Sequence, residues 1–164
     1  MSRAFVNEDN AAAQADQPVE RQVSSQPNYV TPDGLSQLQD KVGELQAQHS
    51  AQSALGEQAD PQRLADLQRD LRYYLQRLQS AQVVPPATST HKVQIGSWVT
   101  YADEQGNERR VQLVGEDQAV AAQGLINWSS PLGRALLGAQ LNDEVLWQRP
   151  AGDQLIEVIR IEAA

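Results

Sequence analysis

Large apolar residues recur at helical spacing from Leu35 onward. Leu35, Leu38, Val42 and Leu45 follow at three- and four-residue steps, the interval that returns a side chain to the same helix face. The stripe weakens at His49 and Gln52 and returns at Leu55. Upstream, "TPDGLSQL" puts Thr31 at the N-cap, Pro32 at the first helical position and Asp33 in the first turn. A second, cleaner stripe runs through Leu64, Leu67, Leu71, Tyr74, Leu78 and Ala81, opened by Asp60 as cap and Pro61 as first helical residue. Two narrow stripes joined by a short glycine-containing loop predict an antiparallel helical hairpin of coiled-coil type. Its other faces carry little apolar surface, so the hairpin is expected to project from the body.

The period then changes. Pro85 and Pro86 in "VVPPATSTHK" cannot continue the helix and mark a linker. "VQIGSWVTYAD" and "ERRVQLVGED" alternate as strands around a turn at "EQGN", and "GLINW" reads as a third strand. "SPLGRALLG" predicts a short helix with Ser130 as cap, Pro131 at its first position and Gly138 as its stop. "DEVLWQRPAGDQLIEVIRIE" reads as a hairpin turning at Pro150–Asp153. The predicted class is α+β: a flexible tail over 1–28, a hairpin over 29–84, a linker over 85–91, and an antiparallel-sheet domain with one short helix over 92–164. The tail is assigned from its Ala, Gln, Asn and Asp content and its lack of any sustained period.

Composition narrows the function. A net charge of -8, divided as -2 over residues 1–30, -2 over 31–84 and -4 over 85–164, argues against independent DNA binding and favours a protein partner. No apolar run approaches a membrane span, the start lacks a signal-peptide pattern, and cysteine is absent, so a cytoplasmic protein without disulfides is expected. Two histidines and no cysteine leave no transition-metal cluster to build.

Little catalytic chemistry stands out. Ser129 or Ser130 with His91 lacks a nucleophile elbow, and no glycine pattern forms a phosphate loop. Trp98, Trp128 and Trp147 fall on strands, where core or sheet-edge packing explains them. His49, at a seam position, reads as a weakly packed polar spot. Arg63, Arg69, Arg72 and Arg77 give the second helix a basic flank that is either a solvated face or one turned towards RNA or acidic protein. Glu57 and Asp60, three apart around the hairpin loop, can approach one another and share a divalent cation with an incomplete shell. Such a pair becomes useful beside a metal already held by another protein. Asp60 has an alternative role as the N-cap.

From residue 29 the chain resembles the bacterial Gre transcript-cleavage factors. The resemblance rests on "NYVTPDGLSQL", "SAQVV", "GSWV", "RRVQLVGEDQA", "INWSSPLGRALLGAQLNDEV" and "RPAGDQLIEVIRIE", in the family's order. It implies an amino-terminal coiled coil that enters the secondary channel of RNA polymerase and a carboxy-terminal FKBP-like domain that docks at the channel mouth. Ser130, Pro131, Leu132, Gly133 and Arg134 would then contact polymerase. Nascent RNA would be met only through the polymerase, and the protein would be an accessory factor and not itself an enzyme. It would bring no cofactor of its own, with Mg2+ belonging to the polymerase active site.

The family's tip reads "GD-x-x-EN". The matching residues here are Gly56, Glu57, Gln58, Ala59, Asp60 and Pro61, so the two acids are interchanged and the asparagine is lost. By resemblance Glu57 is the metal ligand, and Asp60 positions water or supplies a second ligand. Each helix is also about eight residues shorter than in long-armed members, a loss of roughly 12 Å of reach. The expected function is modulation of paused or backtracked complexes, with cleavage weak or absent. The alternatives are a non-cleaving channel regulator resembling the nucleoside-diphosphate-kinase regulators, or an FKBP-like prolyl isomerase.

Overall fold

The computed structural model describes residues 19–164, which divide into two compact units: 19–25 with 39–79, and 26–38 with 80–164. The expectation of a tail over 1–28 therefore lies outside the described residues up to position 18.

Helix α1 (Pro32–Ser53) and helix α2 (Pro61–Ser80) are joined by a turn containing a short 3-10 segment, Gly56–Gln58. Gly56 turns the chain at φ 57°, in the left-handed region that a side chain disfavours. Within the first unit Val42, Leu45 and Leu67 are buried, with Leu64, Leu71, Tyr74 and Leu78 half-buried. Arg63 donates to Gln48 at 3.2 Å and Gln68 meets His49 at 3.3 Å, linking the two helices near the turn. The polar spot at His49 is thus filled by a partner. Leu55 lies beyond the end of α1 and is 49% exposed, so the expected return of the seam there does not occur.

Residues 19–25 belong to the same unit. The Arg21 guanidinium lies 4.0 Å from the Tyr73 ring centre and 5.1 Å from that of Tyr74, with Asp70 at 3.6 Å, and Glu20 pairs with Arg72. Helix α2 also buries a second line of residues, Tyr73 and Arg77, apart from its stripe.

In the second unit, β1 (Tyr29–Val30) pairs in parallel with β2 (Gln82–Val83). Strands β3 (Trp98–Asp103), β4 (Glu108–Val114), β5 (Leu125–Asn127), β6 (Glu144–Trp147) and β7 (Gln154–Glu162) form one sheet in the order β5-β4-β3-β7-β6. Its β4–β5 pair is parallel, correcting the expectation of a wholly antiparallel sheet. Two 3-10 turns, Glu116–Gln118 and Ala121–Gln123, carry the chain over and return it in the same direction. The expected first strand begins only at Trp98, because Gly96 at φ 98° turns the chain just before it.

Helix α3 (Pro131–Leu136) begins at Ser130, whose hydroxyl oxygen accepts from the Gly133 N–H at 3.1 Å and donates to the Asn127 carbonyl at 2.7 Å. Leu132 and Leu136 join Val99, Leu113, Ile156 and Val158 in the core, so apolar burial holds α3 to the sheet. Among the described residues, no helix is long and apolar enough to cross a membrane.

Candidate functional site

The tip of the helical pair is built by local rules. Asp60 ends the turn, and its carboxylate accepts from the Gln62 N–H at 3.0 Å, while its carbonyl takes the first helical bond from Leu64 at 3.0 Å. This satisfies amides that the start of α2 would leave open. Glu57 sits in the 3-10 segment, and both acids are exposed. One Asp60 oxygen is engaged in the cap, leaving the other lone pairs and the whole Glu57 carboxylate facing solvent. Among the described residues no group of three or more acidic or histidine side chains could hold a metal ion. The pair can supply oxygen ligands, but not a complete shell.

The basic flank is largely compensated. Arg69 pairs with Asp70 at 3.0 Å and lies 3.7 Å from Asp66, and Arg72 pairs with Glu20. Arg77 is only 2% exposed, correcting its reading as part of an outward-facing basic surface. Of the four arginines, Arg63 is exposed and bound to a neutral partner, Gln48.

The second locus lies around α3. Pro131 and Arg134 are exposed, and Arg134 donates to the Ser129 carbonyl at 2.9 Å. Leu132 and Gly133 are buried. A Cβ on Gly133 would stand 2.3 Å from the Asn127 carbonyl oxygen, so glycine is required for α3 to approach that turn. Gly133 therefore shapes the locus from beneath, correcting its reading as a contact residue. Leu132 is in the core and still forms part of a cleft floor.

Two clefts flank Pro131. One, about 400 Å³, includes Ser129, Arg134, Leu146 and Gln148; the other, about 470 Å³, includes Leu132, Trp147, Arg149 and Pro150. The wall from Leu146 to Ala151 did not stand out in the sequence. The half-buried Trp147 beside the Pro150 turn was its available signal. The remaining tryptophans also serve packing: Trp98 lies under Arg110 at 4.0 Å, and Trp128 packs at a tilt of 57° against Tyr29, ring centres 5.2 Å apart.

Comparison with known proteins gives these loci a context. The family described as "Transcription elongation factor, GreA/GreB, C-term" matches residues 88–163. The transcription elongation factor GreB of Pseudomonas aeruginosa is 33% identical over 150 residues, covering 81% of this chain and 89% of that protein. GreB of Neisseria meningitidis serogroup B is 30% identical over 152 residues, covering 82% of this chain and 93% of that protein. Among solved structures, GreA factor homolog 1 of Thermus thermophilus matches with 21% identity and a TM-score of 0.41, covering 84% of this chain and 99% of that one. The sequence matches extend along most of the chain, and on them it belongs to the GreA/GreB family of transcription elongation factors.

Proposed function

We propose that this chain modulates transcript elongation by binding RNA polymerase at the secondary channel. The FKBP-like carboxy-terminal unit docks at the channel mouth through Ser130, Pro131, Arg134 and the two clefts beside them. The coiled-coil hairpin enters the channel. The protein works as a cytoplasmic accessory factor, since the Mg2+ and the phosphodiester chemistry belong to the polymerase. Any nascent RNA that Arg63 meets is held there by the polymerase.

One observation carries this reading: in a Gre-family chain, Glu57 and Asp60 stand exposed on the single turn between two helices. Two carboxylates can complete a shell that another protein has begun and can orient a water for attack. Length then limits what they achieve. Helix α1 has 22 residues and α2 has 20, so each spans roughly 30 Å at about 1.5 Å per residue. The long-armed relatives of the resemblance carry about eight more residues per helix, or roughly 12 Å. A carboxylate must come within about 2 Å of magnesium to ligate it. The tip acids therefore stop short, and the protein acts by occupying the channel, with weak or absent stimulation of cleavage.

Stalled elongation complexes with magnesium test this. The expected result is polymerase binding and altered pausing without released RNA fragments. Restored elongation by wild type that is lost in Glu57→Ala/Asp60→Ala would show that the acids arrive, and would overturn the limit on reach.

A further inference from the structure

On the sheet, Tyr101 and Trp147 meet edge to face, with ring centres 6.3 Å apart and planes at 77°. They form the aromatic part of a cleft of about 310 Å³ that also includes Asp103, Asn107, Arg109 and Arg149. Arg149 lies 5.1 Å from the Trp147 ring centre and donates to the Gly152 carbonyl at 3.2 Å. Among the described residues neither Arg109 nor Arg149 forms a salt bridge, whereas Arg69, Arg72, Arg110 and Arg160 all do. Asp103 also lies in the cleft and within electrostatic reach of Arg109, but its oxygens accept from the Gln105 and Asn107 backbone amides at 2.9 Å each and from the Asn107 side chain at 3.2 Å. Two guanidiniums thus share one cleft without a directly bound carboxylate, in a protein of net charge -8.

We propose that this cleft is a carboxylate subsite of the docking face, where an acidic side chain of the protein partner is bound by Arg109 and Arg149 against Tyr101 and Trp147. The assignment rests on the docking reading above. The planar guanidinium offers paired N–H donors that match a carboxylate, and a partly desolvated aromatic floor strengthens such bonds. Burial raises the Tyr101 phenol above its ordinary value, Arg109 and Arg149 act in the opposite direction and Asp103 in the same one, so both arginines and Asp103 lie within electrostatic reach of that phenol.

Position and surroundings select the occupant. Trp147 and Arg149 also line the apolar cleft beside Pro131, so one partner segment can fill both with an apolar residue and a nearby acid. On the other side, Asp103 is shared with a cleft lined by Glu104, Glu144 and Glu157. A nucleic-acid backbone laid across Arg109 and Arg149 would carry its neighbouring phosphates towards that acidic cleft. A single carboxylate on a protein brings one charge and meets less of that repulsion.

The test is binding of the full chain to cognate core RNA polymerase across a salt series. For Arg109→Gln/Arg149→Gln, affinity should fall about tenfold at moderate salt, with a shallower salt dependence than wild type. Lysine at both positions should bind with intermediate affinity, because it restores charge without the planar fork. Arg160→Gln, on an exposed guanidinium outside the cleft, should bind as wild type. Should the double variant fold poorly by circular dichroism, Arg109→Gln alone supplies the test, with about a threefold loss expected. Wild-type binding that both glutamine variants retain would overturn the subsite and leave the docking reading standing. Failure of wild type to bind would remove both. Binding of single-stranded RNA by the free protein that Arg109→Gln/Arg149→Gln abolishes would also overturn it, by making phosphate the occupant.

Discussion

Gln118 donates its side-chain N–H to the Thr31 hydroxyl at 2.6 Å, bridging 87 residues of sequence. Its side-chain oxygen accepts from the Thr31 and Gly115 backbone amides at 3.3 and 3.1 Å. Thr31 in turn caps α1, accepting from the Gly34 N–H at 3.2 Å. One buried amide therefore ties the start of α1 to the turn after β4.

This relationship predicts non-additive mutations. Gln118→Ala leaves two backbone N–H groups without their acceptor and should cost about 1–3 kcal/mol. A Cβ on Gly34 would stand 2.2 Å from the Gln118 side-chain oxygen, so Gly34→Ala alone should also destabilise. With Gln118 truncated that clash is gone, and Gly34→Ala should become neutral or stabilising by up to about 1 kcal/mol through helix propensity. Urea unfolding of the four proteins in the cycle checks the reversal. Additive losses would contradict it.

At the tip, capping and cleavage can be separated. Asp60→Ala should destabilise the protein by about 1 kcal/mol through the lost cap, whereas Asp60→Asn should keep most of that stability. Glu57→Ala should leave the thermal midpoint unchanged, since the side chain is exposed and has no cap to make. Calorimetry on the three variants distinguishes the two roles. Equal destabilisation by Glu57→Ala and Asp60→Ala would show that the turn depends on both acids.

Acid stability should carry the mark of two surface carboxylates. The Asn107 backbone N–H, with the Asn107 side chain and the Gln105 N–H, holds Asp103 below the ordinary aspartate value. The Arg110 hydrogen bond and charge, with Arg160, do the same for Glu162. A carboxylate depressed in the folded state stabilises it fully above the unfolded value. That contribution is lost as pH falls through the lower folded value. Unfolding midpoints measured downward from about pH 5 should therefore decline less steeply for Asp103→Asn than for wild type. Parallel curves would remove Asp103 from the account.

Much of the local structure was legible because its causes lie a few residues apart. Thr31, Asp60 and Ser130 are caps followed directly by proline, and the apolar steps of α2 mark its stripe. The turn at Asp103–Asn107 and the start of α3 needed no distant partner either. The paired tip acids could also be read from spacing alone.

Only tertiary structure decided the rest, because each feature depends on groups far apart in the chain. Arg77 looks like any solvated arginine of an amphipathic helix, yet it is buried. The line Glu20–Arg21 carries no periodic signal, and its meaning comes from Arg72, Tyr73 and Tyr74 across some fifty positions of sequence. The parallel return of β5 onto β4, the wall around Trp147, and the grip of Gln118 on Thr31 likewise leave no local pattern. Spacing determines which residues share a helix face or cap a turn. Which surfaces then meet is set by long-range burial and by the need of each buried polar group for a partner.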